Sequence, residues 1–494
     1  LENVYLQLGK TSQLNFELSQ ADIERISVTG SSRHALIHGA KNGMGSVYGA
    51  KDMERSPAFD RDIKDIIRQN PMVNISDDDD GEMSVGGVNP RFNSLSIDGV
   101  KQNDDFGLNS NGYPTNGSPI SLLSIEQISV DVTPFNAKAS GFTGASVNAV
   151  TKSGSNEFFG EFFYDYSDDS MAGTPKREDG SEVELDFERK NYGLALGGAI
   201  IEDTLFFFTS YEESKSPFVN DFGPKGSGAA NEKDWLTDEI VSEVQQIAKD
   251  VYGFDAGGLG QGLENASDKL IVKLDWNIND YHRAAFTYQS AEDNDVRPQH
   301  SSRSNQYGLL SNWYNVAAKL DSYALQVYSD WTDEFTTTLK VSYKDTENRQ
   351  QSYSDTLNSD LVGQACIRIA DEGSCSRSDA LWVGADTFRH ANVLDNDTFS
   401  IDFEGSYLFE QHQLSFGIGL DDLDVFNQFV PFSRGDWVFD SVEDFRNRNA
   451  SRVSYSNAYT GDANDAAASF SIKNLHMFVE DKWDINEDLW VNVG

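Results

Sequence analysis

The sequence predicts a mixed α/β unit followed by an all-β antiparallel transmembrane barrel, of which about ten or eleven strands are present. Three observations predict it. From Glu157 onward, apolar and polar side chains alternate with a period of two in segment after segment. The connections between those segments alternate strictly between very short and very long. Aromatic residues are abundant (31 Phe, 19 Tyr and 8 Trp), yet no apolar run reaches the roughly 18 residues of a helical membrane span.

Residues 1–20 read as two alternating strands, Val4, Leu6, Leu8 and then Leu14, Phe16, Leu18, around Gly9-Lys10. They look like the tail of a small β-domain. A polar linker, 21–34, follows. Residues 35–155 form a compact α+β unit. It holds a helical stretch from Arg61 to Arg68, stopped by Asn70-Pro71 because the residue before a proline is driven out of the helical region. Short strands follow at Val73 to Ile75, Ser94 to Ile97, Gln127 to Val132 and Ala145 to Thr151.

Residues 156–494 carry the repeated alternation. Phe158, Gly160, Phe162, Tyr164 and Tyr166 share one face, with Glu157, Glu161 and Asp165 opposite. The same pattern holds for Leu270 to Ile278, Tyr323 to Val327, Phe335 to Tyr343, Phe399 to Tyr407 and Leu414 to Leu420. Short turns fall at Glu202-Asp203, Asn279-Asp280, Thr332 to Glu334, Glu410 to His412 and Asn486-Glu487. Long polar connections fall between them, near 167–188, 213–267, 294–317, 349–394 and 426–469. Outer-membrane barrels have short periplasmic turns and long outer loops; a soluble sandwich has no reason to send every long loop to one end. Tyr164, Tyr166, Phe206 to Phe208, Trp276, Trp331 and Trp483 sit near strand ends, where interfacial girdles belong. The second long loop contains an amphipathic helix, with Leu236, Ile240, Val244, Ile247 and Val251 on one side and a stop at Gly253. It is expected to pack against the loop mass.

The formal charge is -41, from 80 acidic and 39 basic residues. This excludes non-specific nucleic-acid binding, which needs a basic face, and argues against docking on anionic lipid. Cys366 and Cys375, in a polar segment, suit a loop-closing disulfide in an oxidising compartment better than a zinc site. Gly39 to Gly49 lacks the Gly-Lys-Ser/Thr of a phosphate loop, and Asp77 to Asp80 lacks the alternation and closing Glu of a calcium loop. The seven His are scattered, and no catalytic motif occurs, so neither enzyme activity nor a cofactor is expected.

Ser96-Ile97-Asp98-Gly99-Val100, then Asn103-Asp104-Asp105-Phe106-Gly107-Leu108, resembles the plug of TonB-dependent outer-membrane receptors, especially the Oar-like branch. So do Ser124 to Ile128 and the string Val147 to Phe158, where the family passes from plug to barrel. Gly197 to Phe208 resembles the first periplasmic hairpin, with Ala199 where proline is usual; Lys273 to Asp280 and Phe478 to Trp483 are similar to later hairpins.

The resemblance implies a barrel of 22 strands with the plug inside it. Half a barrel would leave unpaired edges in lipid, so a longer natural protein is expected. It also implies that residues 1–20 end a carboxypeptidase-regulatory-like domain, and that a TonB box precedes the plug. Glu24, Ile26, Ser27, Val28 and Thr29, an extended run in a polar linker, fit that box; such segments add a strand to the transducer. Ligand-binding candidates are Arg91, Asn93, Asn103, Asp104, Asp105 and Phe106, in Gly/Asn-rich turns of the plug. The expected setting is the bacterial outer membrane, long loops outside. Expected partners are its lipid, the TonB energy-transducing complex and an extracellular solute. The rival reading, also within the Oar-like branch, is a surface adhesion, assembly or protein-export component.

Overall fold

The computed structural model describes residues 45–494 apart from 57, 59–60, 77–80, 175, 177–179, 181, 183–186, 219, 370–373 and 487–488. The segments 1–20 and 21–34, with Glu24, Ile26, Ser27, Val28 and Thr29, lie outside the described residues, as do Gly39, Gly43 and Asp77 to Asp80.

Short alternating runs build the N-terminal domain. Its strands are β1 (Gly45–Gly49), β2 (Val73–Ile75), β3 (Met83–Val85), β4 (Ser94–Ile97), β5 (Val100–Lys101), β6 (Ile125–Asp131) and β7 (Ser146–Thr151). Five of them form one sheet in the order β1-β6-β7-β4-β5, in which only β4 and β7 run parallel; β2 and β3 pair separately. The helix in this domain, α1 (Ile63–Ile67), is shorter than the sequence suggests. Arg61 has φ +53°, which ends any helical run before it, and the Asp62 side chain caps the start by accepting from the Lys64 amide at 2.8 Å. Ile63, Ile66 and Ile67, spaced i, i+3, i+4, are buried against Ile97, Ile128, Val130 and Val147. A further helix, Ala50–Arg55, follows β1 directly. Its first turn is closed by Asp52, which accepts from the Gly49 amide, and so offers no phosphate cradle.

The rest of the chain forms an eleven-stranded antiparallel meander. Its strands are β8 (Phe159–Asp168), β9 (Glu188–Ile201), β10 (Leu205–Pro217), β11 (Glu264–Asn279), β12 (His282–Arg297), β13 (Tyr314–Asp330), β14 (Phe335–Ser352), β15 (Asn392–Phe409), β16 (His412–Phe429), β17 (Ala468–Asn486) and β18 (Leu489–Val493). The tight turns at one end use left-handed residues, Asp203 at φ +58° and Glu410 at φ +53°.

Burial along these strands is inverted relative to a soluble protein. Leu325 is 45% exposed while its neighbour Gln326 is 5% exposed. Leu194, Leu196, Trp276, Tyr323, Phe399, Ile401 and Phe403 likewise face outward. Lys273, Gln289, Ser322 and Lys344 face inward and are buried. Apolar surface outside and polar surface inside suits a wall standing in hydrocarbon. Towards the long-loop ends, outward tyrosines reach carboxylates on the neighbouring strand: Tyr211 donates to Asp268 at 2.5 Å and Tyr288 to Asp321 at 2.8 Å. Such rings are suited to the interface. Phe206 and Phe208 correct the girdle expectation: with a period of two they point inward and are buried, Phe208 in the core of the N-terminal domain.

The long connections are not a loose fringe. Segments Gln306–Gly308, Ala380–Val383, Gln364–Arg368, Asp436–Phe439 and Arg452–Ser454 form a five-stranded sheet in that order, drawn from three connections. A fourth supplies α2 (Asp238–Ile247), capped by Thr237, whose Val241, Val244 and Ile247 are buried with Leu309, Ile367, Leu381, Phe439 and Phe445. Cys366 and Cys375 are disulfide-bonded, with Cα atoms 6.4 Å apart. Polar composition hid this cap, because its apolar residues are dispersed over four loops.

Candidate functional site

The N-terminal domain lies against the inward polar face of the strand sheet, and its contacts fall into separate groups. The first is the β4–β5 tip, where Asp98 and Gly99 have φ of +50° and +75°. The Asp98 carboxylate accepts from the Thr151 amide (2.9 Å) and hydroxyl (2.6 Å) and stands 3.4 Å from the Lys273 ammonium. Gln326 donates to the Asp98 carbonyl at 2.8 Å, and Lys340 to that of Gly99 at 2.6 Å. The second group centres on buried Glu212 of β10, which accepts from Arg61 at 3.1 Å and Ser121 at 2.6 Å, with Lys269 3.8 Å away. The third joins Asp105 to Lys344 at 2.5 Å and to Thr398 at 3.1 Å. An apolar seam runs beside Glu212, where Ala195, Phe208 and Ile271 of the wall join the domain's core. There Gly193 must lack a side chain: a Cβ would sit 2.5 Å from Phe163 and 2.9 Å from Leu123.

Beside the second group lies a polar cavity of about 560 Å³. Arg61, Lys64 and Asn116 line it from the domain, and Glu212, Lys269 and Asp293 from the wall. Outside this cavity, at the plug-domain turn of Asp104, burial raises the carboxyl against three backbone donors that lower it. With charges of both signs, the cavity can exchange hydrogen bonds with a hydrated solute. Among the described residues no cluster of His, Cys, Asp or Glu is arranged to hold a metal ion.

The six candidate residues of the domain's turns fall into three sets. Asn93 is buried, donating to the carbonyls of Met83 and Pro90 and accepting from the Ala145 amide. Asn103 accepts from the Leu95 amide and donates to the Asn93 carbonyl. Asp104 accepts from the amides of Phe106, Gly107 and Asn109. These three are engaged in shaping the turns. Arg91 and Phe106 are exposed and close, since the Arg91 guanidinium borders Gly107. Asp105 faces the wall. The turns reach the long-loop end: Asn116 donates to the Val316 carbonyl and the Gly117 amide to Asp293, both near the outer ends of β13 and β12.

The wall partners Lys273, Gln326, Lys344 and Glu212 were not singled out in the sequence. Their signal was present, as a lysine between Val272 and Leu274 or between Tyr343 and Asp345 inside a membrane strand.

Residues 41–146 match the TonB-dependent receptor plug domain, and residues 150–218 and 258–494 match an outer membrane beta barrel domain. The chain belongs to the TonB-dependent outer-membrane receptors. The receptor is 25% identical over 213 residues to the TonB-dependent transporter Oar of Myxococcus xanthus, an alignment covering 41% of this chain and 19% of Oar. Its fold is similar to that of the outer membrane transporter YddB from Escherichia coli, with TM-score 0.63 and 12% identity over 89% of this chain and 54% of YddB. It is also similar to a mutant of the ferric enterobactin receptor PfeA from Pseudomonas aeruginosa, with TM-score 0.56 and 14% identity over 92% of this chain and 56% of PfeA. The receptor thus spans about half the length of these solved relatives and a fifth of Oar. Its place is the bacterial outer membrane, and its family is one of transporters and receptors, not enzymes. The N-terminal domain is the plug, and the eleven-stranded sheet is the barrel-like wall against which it sits.

Proposed function

We propose that this receptor imports a solute across the outer membrane with energy passed from the inner membrane by the TonB complex. Residues 21–34 hold the TonB box, with Glu24, Ile26, Ser27, Val28 and Thr29 as its strand. Residues 1–20 end a carboxypeptidase-regulatory-like domain, 35–155 form the plug, and 156–494 begin a barrel of 22 strands that closes around it. Closure removes both edges of the sheet from lipid.

The observation that carries this reading is the nature of the plug–wall contact. Away from the seam around Phe208, the plug is held by discrete ion pairs and hydrogen bonds, those of Asp98, Asp105 and Lys101 among them. Water can replace such contacts one at a time, so a pull on the N-terminal segment has only the apolar seam around Phe208 to part as a unit. Exposed Arg91 and Phe106 form the solute-facing part of the plug apex, and Asp105 ties that apex to the wall.

The test is a Val28→Pro substitution in the full-length protein. Proline removes the backbone donor that strand addition needs. Uptake should cease while the protein remains in the outer membrane. A segment spanning 20–34 should also capture the periplasmic domain of the transducer. Normal uptake by the variant, or no capture, would move the assignment to surface adhesion, assembly or export.

A further inference from the structure

The outer cap contains a second cavity, of about 580 Å³, far in sequence from the plug apex. Three arginines line it: Arg303 from the connection after β12, Arg368 from the cap sheet and Arg452 from the connection after β16. Among the described lining residues a single carboxylate, Asp440, accompanies them, paired to Arg368 at 2.8 Å. Arg452 lies 3.5 Å from Asp436, and Arg303 is exposed. In a chain of net charge -41, three guanidiniums converging on one cavity depart from the surrounding field.

The back of the cavity is rigid and aromatic. The His300 ring stacks on Trp382 at 4.0 Å between centroids, and the His300 ring nitrogen bonds the Asn312 side chain at 2.8 Å. Trp382 is 8% exposed, and among the described residues its indole N–H has no hydrogen-bond partner. A buried donor without an acceptor costs on the order of 1–3 kcal/mol, and an acceptor entering the cavity would relieve it. Guanidiniums and an indole N–H are all donors, and the acceptor that matches several at once is an oxyanion.

We propose that this cavity captures an oxyanion-bearing solute, one with carboxylate or phosphate groups, before it reaches the plug. Arg303 and Arg452 hold its charged groups, Trp382 donates to one oxygen, and the cap presents the bound solute to the apex at Arg91. The volume suits a ligand of a few hundred daltons. The capture role rests on the uptake reading, but the binding itself does not.

The test is equilibrium titration of the purified full-length receptor in detergent with pyrophosphate and with citrate, each alone. Saturable binding of at least one is expected. Arg303→Gln and Arg452→Gln, both exposed positions, should each weaken it about tenfold, the loss of one charge-assisted hydrogen bond. Trp382→Phe, which keeps the ring and removes the donor, should weaken it about threefold to tenfold. Asp440→Asn, which removes the lining carboxylate, should tighten it, and this variant keeps the proposal testable if an arginine variant does not fold. A Val28→Pro protein, dead in import, should bind as the native one does; this separates failure of uptake from failure of capture. No saturable binding, or native affinity in both arginine variants, would overturn the proposal. Lipopolysaccharide vesicles form the last arm: binding to them with none to free pyrophosphate or citrate would also overturn it, assigning the arginines to the lipid surface.

Discussion

Asp98 of the plug and Lys273 of the wall face each other at 3.4 Å, and both side chains are nearly removed from solvent. Each also bonds Thr151, so three polar groups close on one another where the plug tip meets strand β11. Removing one member of a buried charge pair strands the other. Asp98→Ala should therefore loosen the plug by about 3 kcal/mol, whereas Lys273→Met, which leaves Asp98 its two Thr151 donors, should cost about 1–2 kcal/mol. Hydrogen exchange at Gly99 to Gln102 reads the difference; equal protection in both variants would argue that the pair bears no part of the docking.

Leu325 and Gln326 are adjacent in sequence and face opposite media. Leu325→Arg places a guanidinium among lipid chains and should lower folding stability in bilayers by about 2–4 kcal/mol. Gln326→Ala should leave bilayer stability nearly unchanged and weaken plug docking, because its side chain donates to the Asp98 carbonyl. Urea unfolding of the full-length protein in vesicles, with and without the two changes, measures both.

Acid should open the cap at His390. Burial pushes its imidazole down to about 4. The geometry fits a neutral ring, with Nε2–H donating to the Ala385 carbonyl and Nδ1 accepting from the Arg434 amide. The unfolded side chain titrates near 6.5, so between about 6.5 and 4 the open state binds the extra proton. Stability is full above the upper value and falls as pH drops through that window, by about 3 kcal/mol in total. His390→Gln, which keeps a donor and an acceptor, should flatten the slope of cap exchange against pH; an unchanged slope would assign it to another group.

The disulfide between Cys366 and Cys375 ties the middle of a central cap strand to the segment that follows it. Closing a loop this short lowers the entropy of the open cap, worth about 2–3 kcal/mol. Cys366→Ser with Cys375→Ser should lower the cap's melting temperature while leaving the wall intact, as followed by proteolysis of 353–391 against strands 314–352.

Much of the wall was legible because its rule is local. A period of two with one apolar face, as in Tyr323 to Val327, needs no knowledge of partners, and each short turn fixes the next strand beside the last. The alternation also carried information about the lumen: Lys273 and Lys344 occupy the polar phase of their strands. Apart from the amphipathic helix α2, the cap was not legible, because its core joins Leu236, Leu309, Ile367, Leu381 and Phe445 from four connections, and the other three show no periodic apolar face. The candidate turn residues were read by composition alone, which does not distinguish Asn93, engaged inside the plug, from Arg91, open at its surface. Arg61 shows the same limit, since its left-handed backbone, together with the Asp62 cap, sets the helix start at Ile63.

The cap sheet interleaves strands from three connections, so that Ala365 to Arg368 pair with Ala380 to Val383 on one side and Gln364 to Ile367 with Asp436 to Phe439 on the other. Its surface cannot diversify one loop at a time. Grafting any single connection from another receptor would strip at least one retained strand of a neighbour, and an antibody raised against this face should recognise the folded array and lose its epitope when any one of the three is exchanged.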